Sequence, residues 1–259
     1  MEGKVKAVAK ELNNNGIHFE TKLQQEEESV TQEIQVKCDD KISEEEKNKI
    51  CLMRALVEKQ DPSSKEVDDF EIRRFLRARD LDVDKATAML LKCLKWKKNI
   101  APNGSISASE IPNQIAHNKM FMQGVDKQGR PIAVILGFVV FALDKLCSRT
   151  SPSREKFVVI ADLQGFGYAN SDARAYIGAL SILQDCYPER LEKLILVHVP
   201  YLFWTMWKIV CPFIDNKTKK KITFVENKRL MTTLLEDIDE SQLPEFYGGE
   251  MPLVPIHEA

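Results

Sequence analysis

Apolar residues recur at helical spacing between residues 42 and 104, which predicts a small all-helical unit there. Ile50, Met53 and Val57 are three or four residues apart, as on one face of a helix. Helix-start signals, in which Glu follows Ser by three positions, occur twice, at Ser43 with Glu46 and at Ser63 with Glu66. A third helix is expected to begin near Asp84. We therefore expect the folded part of the chain to begin with packed helices.

From residue 105 to about residue 250, short apolar runs alternate with helical segments. The runs that predict strands are the residues after the turn at Asp126–Pro131, Lys156–Leu163, Leu194–Val199 and Lys221–Val225. The helical segments are Ser171–Cys186, Tyr201–Cys211 and the residues that follow Asn227. Because each strand is apolar almost throughout, it fits a sheet that is covered on both faces. The predicted fold class is α/β, with a mostly parallel sheet and flanking helices.

The two ends of the chain lack these patterns. Residues 1–41 contain runs such as NNNG and QQEEE and few large apolar residues, so burial cannot offset the entropy of ordering them. We expect a disordered leader there and a short tail at 251–259. The first residues carry no apolar run of the secretory type, which favours a cytoplasmic protein whose six scattered cysteines are reduced.

One stretch, Phe203–Ile222, combines bulky apolar residues with a cluster of lysines. Residues 204–229 hold seven bases and two acids, whereas residues 230–259 hold seven acids and no base. Tryptophan beside aliphatic groups and lysine is typical of a segment that lies in a membrane surface. A core helix followed by a solvated basic loop gives the same pattern. Both interpretations stay open from the pattern alone.

The motifs of several enzyme classes are missing from the sequence. Neither a G-x-S-x-G elbow, nor H-E-x-x-H, nor a G-x-x-x-x-G-K-[ST] phosphate loop occurs. Gly165–Asn170 resembles a dinucleotide fingerprint, but Asn170 stands where glycine or alanine is needed for close packing. We therefore expect no catalytic residues, no metal site and no cofactor. Acidic neighbours of the lysine cluster also argue against nucleic-acid binding.

Six motifs then follow one another in a fixed order: FLRARDLDVDKATAMLLKCLKWKK, GVDKQGRPI, DLQGFGYAN, YPERLEKLILVHVP, WKIVCPFIDNKTKKKI and LPEFYGG. Together they resemble the CRAL-TRIO lipid-binding family, most closely the phosphatidylinositol transfer proteins of fungi and plants, over roughly residues 43–250. The resemblance implies a helical unit followed by an α/β domain whose sheet floors an apolar lipid cavity. It also implies a gate helix that opens this cavity at the membrane.

The resemblance implies non-enzymatic binding of one phospholipid, with phosphatidylinositol as the expected ligand, and its transfer between membranes. Four residues are implied to surround the headgroup: Arg79, Glu189, Thr218 and Lys221. A buried phosphate must meet cations and hydrogen-bond donors, which such side chains supply. The residues implied to form the gate helix and its membrane contacts are Phe203, Trp204, Trp207, Val210, Phe213 and Ile214.

The expected partners are the phospholipid and, transiently, the surface of anionic membranes, for a protein that is otherwise monomeric. An alternative for the same fold is a lipid- or isoprenoid-sensing module that recruits another protein. The candidate headgroup residues also have structural explanations. Arg79 fits a helix cap, Glu189 a first-turn carboxylate and Lys221 one of several exposed lysines.

Three departures from the family pattern limit these expectations. Gly167 and Ala169 stand where relatives that also bind phosphatidylcholine carry hydroxyl groups, so choline-lipid binding is doubtful. Asp80 follows Arg79 where the family often has a base, which weakens or reshapes the headgroup site. The segment 137–149 is shorter than in relatives, which implies a changed cavity wall.

Overall fold

The computed structural model describes residues 42–101, 120–135, 146–151, 154–168 and 171–255. The predicted leader, Ala169 and most of the short segment 137–149 lie outside these residues. The described residues from Glu44 onward belong to one compact unit. The predicted boundary between a helical unit and an α/β domain at residue 104 therefore stays a prediction.

Three α-helices of the described residues precede the sheet. They are α1 (Glu44–Gln60), α2 (Asp69–Ala78) and α3 (Val83–Ile100). Each helix contributes its apolar stripe to one shared core, because residues three and four apart lie on the same face. The most deeply buried members of this core are Met53, Val57, Ile72, Phe75, Leu76, Ala86, Leu90 and Cys93. The predicted helical unit is confirmed as a set of packed helices.

The second predicted helix-start signal is wrong. Residues Pro62–Glu66 form a short 3-10 turn capped by Asp61, and α2 begins only at Asp69. The cap of α2 is Asp68, whose carboxylate accepts a hydrogen bond of 2.6 Å from the backbone N–H of Glu71. Proline at the first position stabilises the 3-10 turn, and extended Val67 then ends it before α2 starts.

Six strands form one sheet in the order β5-β4-β3-β2-β1-β6. Their bounds are β1 (Met120–Val125), β2 (Pro131–Ile135), β3 (Phe157–Asp162), β4 (Leu191–Val197), β5 (Ile222–Phe224) and β6 (Val254–Pro255). Strands β2 to β5 run parallel, and β1 pairs antiparallel with both β2 and β6. The predicted α/β class with a mostly parallel sheet is confirmed.

The predicted turn at Asp126 joins two strands rather than leading into one. Its carboxylate accepts hydrogen bonds from the backbone N–H groups of Gln128 and Arg130, at 2.9 and 2.8 Å. These hydrogen bonds stabilise the turn of a hairpin between β1 and β2. The sequence pattern did not predict strands β1 and β6. Strand β4 begins three residues earlier than predicted, at Leu191, where it pairs with Phe157 of β3.

The two faces of the sheet have different covers. On the back face, alternate residues of β2, β3 and β4 are buried against Leu234, Ile238 and Tyr247. In the described part of the chain, four α-helices follow β3: α4 (Ala173–Cys186), α5 (Tyr201–Val210), α6 (Asn216–Lys219) and α7 (Leu230–Asp237). Leu234 lies on α7, so α7 covers the back face. The front face carries Ala133, Phe157, Val159, Leu194 and Leu196.

A buried ion-pair cluster joins α2 to the segment that leads into β3. Glu155 accepts hydrogen bonds from Arg73 at 3.1 Å and from Arg74 at 2.6 Å. Both guanidinium groups and the carboxylate are largely withdrawn from solvent. The carboxylate of Glu155 therefore compensates the buried positive charges of both arginines.

No helix within the described ranges is long and apolar enough to cross a bilayer.

Candidate functional site

Helix α5 starts at a fixed point beyond the end of β4. His198 lies between them with a positive φ of 50°, and its Nδ1 is 2.9 Å from the Oδ2 atom of Asp162 at the end of β3. The hydroxyl of Tyr247 donates to the same oxygen at 3.0 Å. Burial raises the pKa of Tyr247, and the adjacent charge of Asp162 adds to this effect. These contacts anchor the residue from which the chain turns into α5.

The inward side of α5 packs on the edge strand β5 through aromatic rings. The Phe224 ring centroid lies 4.8 Å from that of Trp204 and 5.1 Å from that of Trp207. Phe203 lies 6.2 Å from Trp207 and, on its other side, 5.4 Å from Phe166. Ring contacts at these distances stabilise the packing beyond the burial of apolar area. Helix α5 is therefore held to the sheet by its aromatic residues.

The outward side of α5 and of the 3-10 turn after it is also apolar. Tyr201, Trp204, Ile209 and Phe213 are exposed, with Phe213 exposed to 53%. Lys208 lies among them and is exposed as well. Helix α5 is thus apolar on both sides, which is unusual for a helix that faces water.

The predicted gate residues occupy three kinds of environment. Trp204 and Phe213 are exposed, and Phe203, Trp207 and Val210 are half-buried. Ile214, in contrast, is only 6% exposed. The side-chain amide of Gln184 in α4 holds the backbone on both sides of Ile214. It donates to the carbonyl of Phe213 at 3.1 Å and accepts from the N–H of Asp215 at 3.0 Å.

Thr218 and Lys221, two of the predicted headgroup residues, lie within one turn. Asp215 caps α6, and its carboxylate accepts the backbone N–H of Thr218 at 2.8 Å. Burial alone would raise the pKa of Asp215, but hydrogen bonds from Thr218 outweigh it and lower this pKa. The Nζ atom of Lys221 donates to the carbonyl of Leu191 at 2.7 Å. Both residues therefore lie where β4 and β5 begin.

Glu189 lies near the same place, two residues before β4. It is half-buried, with a φ of 57°, a backbone conformation that costs energy for any residue except glycine. The hydrogen bond to Asp80 raises the pKa of Lys217 in α6, and the nearby charge of Glu189 adds to this effect. Glu189, Thr218 and Lys221 are thus brought together at the beginning of β4 and β5.

Arg79 is linked to this group through Asp80 and Lys217. The Arg79 guanidinium donates to the carbonyl of Ala78 at 3.2 Å, and the residue terminates α2. Asp80 pairs with Lys217, with 2.7 Å between Oδ1 and Nζ. This hydrogen bond lowers the pKa of Asp80, and the charge of Arg79 acts in the same direction. The departure at Asp80 therefore places a carboxylate between two bases.

Several apolar side chains between α4, α5 and the front face stay only half-buried. Cys186 is the one buried residue of α4, and Met206 the one buried residue of α5, in these two fully described helices. The half-buried apolar residues are Ile177, Leu180 and Leu183 of α4, Leu194 of β4, Phe224 of β5, and Phe203, Trp207 and Val210 of α5. Helices α4 and α5 pack against each other. A substantial apolar surface in this part of the molecule is therefore incompletely covered by protein.

The sequence did not predict the polar contacts that hold these elements. Gln184 gave no signal, because one glutamine in an amphipathic helix is ordinary. The cap at Asp215 could have been predicted from the sequence, because Asp is a common residue at the start of a helix. Within the described residues there is no cluster of three or more His, Cys, Asp or Glu side chains that would hold a metal ion.

Comparisons with known proteins place this arrangement in a family. A sequence profile described as the CRAL/TRIO domain matches residues 133–249. Phosphatidylinositol/phosphatidylcholine transfer protein SFH12 of Arabidopsis thaliana is 32% identical over 216 residues, which cover 70% of this chain and 40% of that protein. Sec14 cytosolic factor of Schizosaccharomyces pombe is 30% identical over 217 residues, covering 71% of this chain and 75% of that protein.

A solved structure agrees with the fold. The crystal structure of Sfh5 matches with a TM-score of 0.61 at 16% identity, covering 83% of this chain and 91% of that chain. The chain spans about two fifths of the length of the plant transfer proteins that it matches. By the profile match, and by its identity to a fungal relative of which it covers three quarters, the chain belongs to the CRAL/TRIO family.

Proposed function

We propose that this protein binds one phospholipid in the apolar region between α4, α5 and the front face of the sheet, and transfers it between membranes. Phosphatidylinositol is the proposed ligand, and α5 is the proposed gate. Relatives named as phosphatidylinositol/phosphatidylcholine transfer proteins support the class of function. The alternative within the fold, a lipid- or isoprenoid-sensing module, uses the same apolar region.

The observation that carries the proposal is the incomplete burial of α4 and α5. A helix packed into a protein core buries its apolar side, yet Leu180, Leu183 and Val210 are half-buried. One acyl chain of about sixteen carbons that leaves a bilayer loses on the order of 12 kcal/mol unless it finds equally apolar surroundings. Such a chain and these side chains would cover each other.

The residues at the beginning of β4 and β5 fit a phosphate ester. The ammonium group of Lys221 has three donors, and the one bond to the Leu191 carbonyl leaves others for a ligand. The Thr218 hydroxyl and the Glu189 carboxylate are suited to the phosphate and to sugar hydroxyls, respectively. We propose these three as the headgroup residues, with Arg79 acting at longer range through Asp80.

The selectivity for inositol lipid follows from the residues near the end of β3. Gly167 lacks the hydroxyl of choline-binding relatives, although a Cβ atom at this position would meet nothing within 4 Å. The hydroxyl is therefore absent because residue 167 is glycine, and not because the site lacks space for a side chain.

Transfer of labelled lipids between donor and acceptor vesicles tests the proposal. We expect phosphatidylinositol to move at a rate proportional to protein concentration, and phosphatidylcholine to move far more slowly. Extraction of neither lipid would contradict transfer, and equal rates would contradict the selectivity. Stable binding of an isoprenoid without phospholipid exchange would favour the sensing module.

A double substitution on the outward side of α5 is expected to weaken binding to anionic vesicles. Ile209 and Phe213 are each about half exposed. Full burial of such a side chain contributes about 1.5–3 kcal/mol. Burying the exposed half of each side chain in the bilayer therefore contributes about 1 kcal/mol. Ile209→Ala with Phe213→Ala should therefore weaken association about thirtyfold, measured by vesicle co-sedimentation.

The matched control for this variant is Phe246→Ala. Phe246 is exposed to 54%, nearly the same as Phe213, but it lies in the turn Glu245–Tyr247. We expect its vesicle binding to remain within about twofold of the original protein, because no contact with the bilayer is proposed there. Equal weakening by the control and by the double variant would refute a specific role for α5. Trp204 is left unchanged because its ring also packs on Phe224.

A further inference from the structure

Two buried cysteines from different helices face each other. Cys93 lies in the middle of α3, and Cys186 is the last residue of α4. The Cys93 thiol donates to the backbone carbonyl oxygen of Cys186, with 3.9 Å between sulfur and oxygen. Neither is in a disulfide. The two cysteines are therefore neighbours in one buried cluster, where α3 packs on α4.

A small cavity is lined by one of these two cysteines. It has a volume of about 70 Å³ and is lined by Cys186 together with Cys147, Arg74, Lys97 and Arg190. A cavity needs only about 10–15 Å³ measured in this way to hold one water molecule, so this one admits a small polar molecule such as hydrogen peroxide. Cys93 is not among its lining residues, so Cys186 is the reachable partner of the pair.

The surroundings favour the thiolate at Cys186 and the thiol at Cys93. The neighbouring Cys93 side chain lowers the pKa of Cys186, and the positive charge of Lys97 acts in the same direction. The neighbouring Cys186 side chain, together with burial, raises the pKa of Cys93. Thiolates are the nucleophilic form of cysteine, and neighbouring cations are a known cause of their reactivity.

We propose that Cys186 and Cys93 form an oxidation site at which a hydroperoxide converts the two thiols to a disulfide between α4 and α3. In the first step the Cys186 sulfur attacks a peroxide oxygen. An S–O bond forms, the O–O bond breaks, and the departing hydroxide takes up a proton to become water. The sulfur is oxidised by two electrons to a sulfenic acid, and the peroxide is reduced.

In the second step the Cys93 sulfur attacks the sulfur of the Cys186 sulfenic acid. The S–S bond forms, the S–O bond breaks, and hydroxide leaves with the proton of the Cys93 thiol as a second water molecule. The sum is two thiols and one hydrogen peroxide giving one disulfide and two water molecules. This site stands on the paired thiols and the cavity, and it is independent of lipid binding.

Peptide mapping after limited oxidation tests this proposal on the full chain. The reduced protein is treated with limiting hydrogen peroxide, its remaining thiols are alkylated, and it is digested with trypsin without reductant. We expect residues 93–95 to be joined to residues 175–190, with a mass two hydrogens below the sum of the two peptides. The free thiols of Cys93 and Cys186 should disappear before that of exposed Cys51.

Variants distinguish the order of the two steps. In Cys93→Ala the sulfenic acid should persist at Cys186 and be captured by dimedone, whereas Cys51→Ala and Cys147→Ala should leave the cross-link unchanged. A disulfide between Cys147 and Cys186 would overturn the assignment. So would oxidation of Cys51 while Cys93 and Cys186 remain free thiols. If Cys93→Ala does not fold, the peptide map of the original chain decides alone.

Discussion

Replacing Lys221 with alanine is expected to slow phosphatidylinositol transfer by between about tenfold and a hundredfold. A hydrogen bond to a charged group contributes about 1.5–3 kcal/mol, and the proposed bond to the lipid phosphate is of this kind. The variant also loses the bond from Lys221 to the Leu191 carbonyl. This bond also involves a charged group, so the free energy of unfolding should fall by at most about 1.5–3 kcal/mol and the variant should remain folded.

Lys220→Ala is the control for this result. Lys220 carries the same charge one residue earlier, but its side chain is exposed. Its loss should reduce attraction to anionic vesicles modestly and leave transfer between neutral vesicles unchanged. If Lys221→Ala and Lys220→Ala slow transfer equally, or if Lys221→Ala unfolds the protein, Lys221 is a structural or general surface residue and not a headgroup ligand. Vesicle transfer rates and urea unfolding measure the two effects.

Replacing Glu155 with alanine is expected to lower the free energy of unfolding by about 3–5 kcal/mol. The variant leaves Arg73 and Arg74 buried without their shared carboxylate, and an uncompensated buried charge is costly. The loss should be large because both guanidinium groups depend on one acceptor. It should also loosen α2 from the start of β3, since this cluster joins them.

Lys156→Ala serves as the control for Glu155→Ala. Lys156 is the next residue and pairs with Glu192 at 3.1 Å, but its side chain is 43% exposed. An exposed pair of this kind is worth at most about 1 kcal/mol. Urea unfolding of both variants gives the comparison. Similar losses for Glu155→Ala and Lys156→Ala would contradict the view that burial makes the Glu155 cluster important.

The sequence predicted the elements that bury a regular apolar pattern. Strands β3, β4 and β5 and helices α3, α4 and α5 appear near their predicted positions, because burial on the sheet or on a helix stripe imposes a period. Strand β1 was missed because Gln123 and Gly124 interrupt its apolar run. Strand β6 has only two residues, one of them a proline, and its pairing with β1 is purely tertiary.

The site was predictable in part. The apolar character of α5 and the lysines after it are visible in the sequence, whereas contacts between distant residues are not. Asp80 and Lys217 are 137 positions apart, and Tyr247 and Asp162 are 85 apart. No local pattern connects such pairs. Their meeting depends on how α2 and the segments around the sheet pack, which only the folded chain determines.

The measurement that tests the central claim most directly is the identity of the lipid that the protein retains. The full chain is incubated with vesicles containing phosphatidylinositol, phosphatidylcholine and an isoprenoid, re-isolated without vesicles, and analysed by native mass spectrometry. The account predicts one phosphatidylinositol molecule per chain. A chain that returns without lipid, or that carries the isoprenoid instead, would contradict it.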